Sequence, residues 1–169
     1  LPVAGATYRM GTPEDRPVTE LLCERPPRQI TVASFYMSRC EVTQAVFQGV
    51  MGVNPSATRG AQLPVDSVRW EEALTFCAAL SRKSGRAYRL PTEAEWELAC
   101  RSGNATDFPW GDSISGCQLH AWTGDNSARR SHPVGTRRAT GPGFHDLLGN
   151  VWEWTADTVA DCQGGPAGN

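Results

Sequence analysis

The chain has 169 residues, a length that fits one domain around one core and leaves little room for two. Apolar residues are 40% and charged residues 20%, so burial can offset chain entropy and wholesale disorder is disfavoured. The net charge of −2 provides no basic footprint for nucleic acid or an anionic membrane, and no apolar run nears the roughly 18 residues that would suggest a membrane span.

Gly 17 and Pro 12 together make about 17% of the chain against about 12% on average, which points to short elements joined by long loops and away from a helical bundle. The start Leu1-Pro2-Val3-Ala4-Gly5 lacks a basic region followed by an apolar core, so no signal peptide is visible. Six cysteines (Cys23, Cys40, Cys77, Cys100, Cys117 and Cys162) show no CxxC spacing. Their even number leans toward at least one disulfide and slightly toward an extracytoplasmic or cell-surface setting. Small buried thiols are the alternative.

In chain order, Thr7 to Gly11 reads as a short strand, Thr12 to Pro27 as a polar loop, and Gln29 to Met37 as a second strand with Ile30, Val32, Phe35 and Tyr36. Thr43 can cap a helix through Met51 with Val46, Phe47 and Val50 on its inner side, stopped by Gly52. A longer helix follows, with Trp70, Ala73, Phe76, Cys77 and Leu80 on one face and Gly85 at its end. Thr92 and Glu95 form a capping-box signature for a third helix, which runs to about Arg101 with Trp96, Ala99 and Cys100 inward and ends at Gly103. From Gly103 to Gly149 regular patterning fades into loop anchored by isolated aromatics. Val151 to Thr155 then alternates like a strand, and the Gly-rich tail after Ala156 carries no pattern. The inward periodicity marks Trp70, Trp96, Trp152 and Trp154 as core residues.

Several phrases together resemble the formylglycine-generating enzyme family, also called the sulfatase-modifying-factor domain. They are Met10-Gly11, Glu41-Val42-Thr43, Asn54-Pro55-Ser56, Leu63-Pro64-Val65, Arg89 to Glu97 (RLPTEAEWE), His132-Pro133-Val134-Gly135 and Gly149 to Trp154 (GNVWEW). They run in family order from residue 1 to about 158. The resemblance implies an α+β, C-type-lectin-like fold of the formylglycine-generating-enzyme type: two main helices on small twisted antiparallel sheets, rich in loops. It also implies a single domain over residues 1–169 that lacks its C-terminal segment.

Because one fold carries different sites, the chemistry has to be followed residue by residue. The family includes copper oxidases that convert a substrate cysteine to formylglycine, iron enzymes of thiol-histidine biosynthesis, and non-catalytic binding proteins, some with a hypervariable C-terminal surface. The oxidases hold Cu(I) in Cys-x4-Cys downstream of Arg-Gly-Gly-Ser, and soft thiolates suit that ion. Neither phrase occurs here, since the nearest cysteines are 17 positions apart. No catalytic or cofactor-binding residue is assigned, and copper enters only if a further C-terminal segment supplies the cysteines. His120, His132 and His145, 12 and 13 positions apart, do not match the His-x3-His pattern of the iron enzymes.

Calcium fares better. The resemblance implies a structural Ca²⁺ site at Asp146, Gly149, Val151 and Glu153, combining side-chain and carbonyl oxygens of the kind this hard ion prefers. A second family calcium site would begin at Asn126 and Ser127, but Ala128-Arg129-Arg130-Ser131 stands where its other ligands would lie, leaving it incomplete. Arg129, Arg130, Arg137 and Arg138 make a local basic cluster, read as a solvated face. Cys77 and Cys100 match positions that are half-cystines in some members. The expected function is a bacterial, calcium-braced scaffold that binds a protein or small-molecule ligand through its loop-rich, C-terminal surface. The alternatives are the N-terminal part of a copper-dependent oxidase acting on a sulfatase cysteine, and a structural accessory domain.

Overall fold

The computed structural model describes residues 1–11, 27–104, 106 and 108–158. The loop expected before Pro27 and the Gly-rich tail lie essentially outside these residues. Two small antiparallel ladders open the fold. Strand β1 (Pro2–Val3) pairs with β4 (Phe35–Tyr36), and β2 (Ala6–Met10) pairs with β3 (Arg28–Val32), with Ala6 opposite Val32 and Met10 opposite Arg28. The single strand expected over Gln29 to Met37 is thus divided at Ala33–Ser34. Gly5 is the cause: a Cβ there would strike the Val32 to Ser34 backbone, and Gly5 N instead donates to Ser34 Oγ at 2.9 Å. This close crossing ends one ladder and starts the other.

Helix α1 (Gln44–Met51) begins where Thr43 Oγ1 accepts Val46 N at 3.3 Å and stops at left-handed Gly52. Its inner face differs from the expected one. Val46 is exposed, whereas Gln44 is buried beside Phe47. Phe47 stacks on Phe76 of α2 (Trp70–Ser84) with ring centroids 5.2 Å apart, which joins the two helices. Helix α3 (Glu93–Arg101) has the full capping box: Thr92 Oγ1 accepts Glu95 N, and a Glu95 carboxylate oxygen accepts Thr92 N. It is tied to the β2–β3 ladder by Tyr8, whose hydroxyl donates to Ala94 O at 2.7 Å.

The main core gathers Ala99 and Cys100 from α3 with Phe144 and Leu147 from the long irregular segment, and Leu1, Val3, Phe35, Met37, Trp96 and Leu148 pack against it. That segment contains a 3₁₀ turn (Ile114–Gly116) running into α4 (Cys117–His120), which the sequence pattern does not announce. Trp110 stacks with Phe108 and with His120, so aromatic contacts tie parts of this loop together. Among the described residues no helix is long and apolar enough to cross a membrane.

Two expectations about Val151 to Thr155 need correction. The segment joins no ladder, and Trp152 is 99% exposed while Trp154 is 51% exposed, so neither is core. The period of two survives, but polar anchors decide which face turns inward. Val151 N donates to Glu41, Glu153 accepts from Trp96, and Thr155 O accepts Trp70 Nε1 at 2.8 Å. The odd-numbered residues carry these three attachments, and the Trp152 ring is left outside. Cys40, Cys77, Cys100 and Cys117 are all free thiols, so no disulfide joins the described cysteines; Cys23 and Cys162 lie outside them.

Candidate cation loop and aromatic cleft

Asp146 adopts a left-handed backbone (φ 64°) and is 2% exposed. Its Oδ2 accepts Gly135 N at 2.7 Å, whereas its buried Oδ1 has no hydrogen-bond partner. An orphaned buried carboxylate oxygen is costly unless something fills it. Glu153 offers a second incomplete carboxylate: Oε2 accepts Trp96 Nε1 at 2.6 Å, and Oε1 has no donor among the described residues. The carbonyls of Gly149 and Val151 accept no hydrogen bond among the described residues either. Each of the four sequence-predicted residues therefore carries an oxygen without a proton donor. Two carboxylate and two carbonyl oxygens are the donor chemistry of a hard divalent cation.

The electrostatics favour the same chemistry. Burial pushes the Glu153 carboxyl up to about 7, with the Asp146 charge adding to the rise and the Trp96 bond opposing it. Burial likewise raises Asp146, against the Gly135 N–H and His145. Glu41, which sequence reasoning did not place here, is pushed up to about 8 by burial and by Asp146 and Glu153, while its Asn150 bond opposes the rise. Carboxyls that resist ionisation because they are buried are stabilised as anions by a cation.

Neighbouring backbone fixes the loop. Asn150 is also left-handed (φ 64°), its N–H donates to Trp122 O at 2.8 Å, and its Oδ1 accepts His132 N at 2.8 Å. Gly149 lies so close to Trp122 that a Cβ would collide with that residue's carbonyl, which is why this position suits glycine. The Trp122 ring lies 3.6 Å from both the His132 ring centroid and the Arg137 guanidinium carbon. At that separation the two groups must take opposite faces of the indole. Arg137 is thereby a stacking residue, bonded also to Gln118 O at 2.7 Å, while Arg129, Arg130 and Arg138 are exposed.

The other sequence-predicted positions lie apart from this chemistry. Asn126 Oδ1 accepts Thr123 N at 2.8 Å and its amide donates to Ala121 O, so it closes a local turn. Ser127 O lies 2.9 Å from His132 Nε2. His120 and His145 each place Nδ1 against a main-chain carbonyl, of Arg138 and Arg137 respectively. Among the described residues no three His, Cys, Asp or Glu side chains form a metal-holding group. Buried Cys100 is held protonated, its thiol pushed up to about 12 by burial and by Glu153 and Glu97.

Directly beside the cation loop lies an open cleft of about 710 Å³, lined by Val65, Asp66 and Val68 on one side and Val151, Trp152 and Trp154 on the other. Trp154 Nε1 donates to Val68 O at 2.9 Å and ties the two walls together. Trp152 is left with its whole ring in solvent. A fully exposed indole beside a half-exposed second one forms an apolar surface next to the loop. The sequence signal was the even-position spacing of the tryptophans, but it carries no sign for inside or outside.

Comparison with known proteins agrees with this architecture. The chain is 27% identical to the formylglycine-generating enzyme of Mus musculus, over 93% of its own length and 57% of the relative's. It is 35% identical to the inactive C-alpha-formylglycine-generating enzyme 2 of Mus musculus, over 69% of its length and 39% of the relative's. It therefore spans well under two thirds of either relative. Among solved structures, Treponema denticola variable protein 1 superposes with a TM-score of 0.77 at 24% identity, covering 91% of this chain and 70% of that one. The fold is the α+β, C-type-lectin-like fold of the formylglycine-generating-enzyme type. With residues 1–167 matched by the sulfatase-modifying factor enzyme 1-like domain, the chain belongs to that family.

Proposed function

We propose that this chain is a non-catalytic scaffold of its family, braced by calcium at Asp146, Gly149, Val151 and Glu153, which binds a protein or small-molecule ligand in the Trp152–Trp154 cleft. The observation that carries the reading is the pairing of a fully exposed Trp152 with a cation loop directly behind it. Calcium fixes the irregular backbone from which the tryptophans project, and none of the four described cysteines lines the cleft. The similarity to an inactive enzyme supports the absence of turnover. Asn126 and Ser127 are proposed only as a weaker, second calcium position.

Two measurements on the same protein test this. Removing calcium with a chelator should lower the melting temperature by about 5 °C or more when calcium had been near a hundredfold above Kd, and Glu153→Ala should abolish that response. A chelator-indifferent wild type overturns the calcium assignment. Oxygen uptake with a sulfatase-type cysteine peptide and copper should be nil, and turnover overturns the non-catalytic reading.

A second reading is that these residues form the N-terminal part of a copper-dependent formylglycine-generating oxidase. It is favoured by similarity to the mouse enzyme along 93% of this chain. The native gene beyond Asn169 discriminates: Arg-Gly-Gly-Ser followed by Cys-x4-Cys supports the oxidase, and other residues there support the scaffold.

A further inference from the structure

Glu41 lies 109 positions before Asn150, yet its carboxylate is attached to the cation loop. Its Oε2 accepts Asn150 Nδ2 at 2.9 Å and its Oε1 accepts Val151 N at 3.3 Å. The backbone that presents it is firmly seated. Val65 N donates to Val42 O at 2.9 Å, Thr43 bridges to Pro64, and Thr43 then caps α1.

We propose that Glu41 is a positioning residue for the cation loop, acting through Asn150 and Val151 to aim the flanking carbonyls; this rests on the calcium reading above. In a trans peptide the N–H and C=O point in opposite directions. Asn150 N–H points at Trp122 O, so the Gly149 carbonyl of the same peptide faces away from Trp122. The next peptide is held the same way, because Val151 N–H points at Glu41. Between them Asn150 keeps the left-handed backbone that non-glycine residues seldom adopt, with its amide also bonded to His132 N and O. Glu41 thus sets the rotation between the two peptides that precede the Val151 carbonyl. With both oxygens engaged by N–H donors, it acts beside the cation rather than on it.

Partners of this kind, one bond removed from the ion, are worth about 10–100-fold in metal affinity when lost. The test is calcium titration calorimetry on the wild type, Glu41→Gln, Glu41→Asp and Glu153→Gln, with amide NMR of the Val151 N–H and the Asn150 side chain in the metal-free proteins. Glu41→Gln presents an NH₂ group toward donors, and Glu41→Asp keeps the charge but shortens the reach. Both should raise Kd at least tenfold and should change the Val151 and Asn150 amide signals without metal. Wild-type affinity in Glu41→Asp alone would reduce the role to charge and overturn positioning, as would Glu41→Gln within twofold of wild type. Unchanged amide signals in both variants overturn it as well. Absence of calcium binding by the wild type overturns the calcium reading itself and, with it, the role proposed for Glu41.

Discussion

Gln44 is 1% exposed and uses its whole amide. The NH₂ donates to Thr58 O at 2.8 Å and Pro64 O at 3.2 Å, and the oxygen accepts Asn54 Nδ2 and Gly60 N. One side chain therefore replaces the regular ladder that the loop from Asn54 to Pro64 lacks. A buried amide is tolerable only when satisfied in this way. Gln44→Leu should destabilise the fold by about 2–3 kcal/mol, because the donors and acceptors of the loop stay behind without partners. Urea unfolding measures this, and a loss below about 0.5 kcal/mol would show that water replaces the amide. The sequence identifies the residue after Thr43 as the start of a helix, but it gives no sign that this glutamine faces inward, since the receiving carbonyls come 14 and 20 residues later.

At the scale of elements, the N-terminus of α3 combines a local signature with an added ion pair. Arg89 grips Glu95 by two bonds of 2.6 Å, and these hold the Glu95 carboxyl below its ordinary range, with the Thr92 N–H helping against burial. A depressed carboxyl stabilises the fold above its unfolded pKa, and that stabilisation is lost as pH falls through the folded value. Melting temperature measured from pH 6 to pH 3 should therefore fall less steeply in Arg89→Ala than in the wild type; equal slopes would assign the acid sensitivity elsewhere. Because the Arg89 side chain is 62% exposed, solvent screening keeps the pair's contribution small at neutral pH. The RLPTEAEWE phrase supplied the cap and box of this helix, and from Thr92 to Cys100 cap, box and apolar face all lie within nine residues. The division of β3 from β4 was not legible, because it depends on Gly5 crossing the chain 29 positions away.

For the whole molecule, the decisive contacts join segments far apart in the chain. Glu41 meets Asn150, Trp70 meets Thr155 across 85 positions, and Trp96 meets Glu153 across 57. They hold an irregular segment without a ladder, and they leave one face of it, with Trp152, exposed. Removing that indole should not disturb the fold. Trp152→Ala should unfold within about 0.5 kcal/mol of wild type, while the iodide-quenchable part of the tryptophan fluorescence falls. A large loss of stability would mean that the ring packs against the protein after all. The family phrases singled out Asp146, Gly149, Val151 and Glu153 as candidate ligands, whereas Glu41 and the Trp122 stack emerged only where the chain folds back on them.

Features encoded within about a dozen residues were determined by the sequence itself: the three helices, the Thr43 and Thr92 caps, the glycine stops at Gly52 and Gly85 (α3 ends instead on left-handed Ser102, one residue before the expected Gly103), the loop-rich composition and the ordered phrases that mark the family. Their physics is local, in side chains that bond their own backbone and in apolar spacing that matches the helical repeat. Tertiary structure alone decided which face of Val151 to Thr155 turns inward, where the Glu41 carboxylate goes, and that the four described cysteines stay unpaired. An alternating pattern fixes two faces but not their sign. That sign is set by Glu41, Trp70 and Trp96, which reach the segment only once the distant parts of the chain have packed.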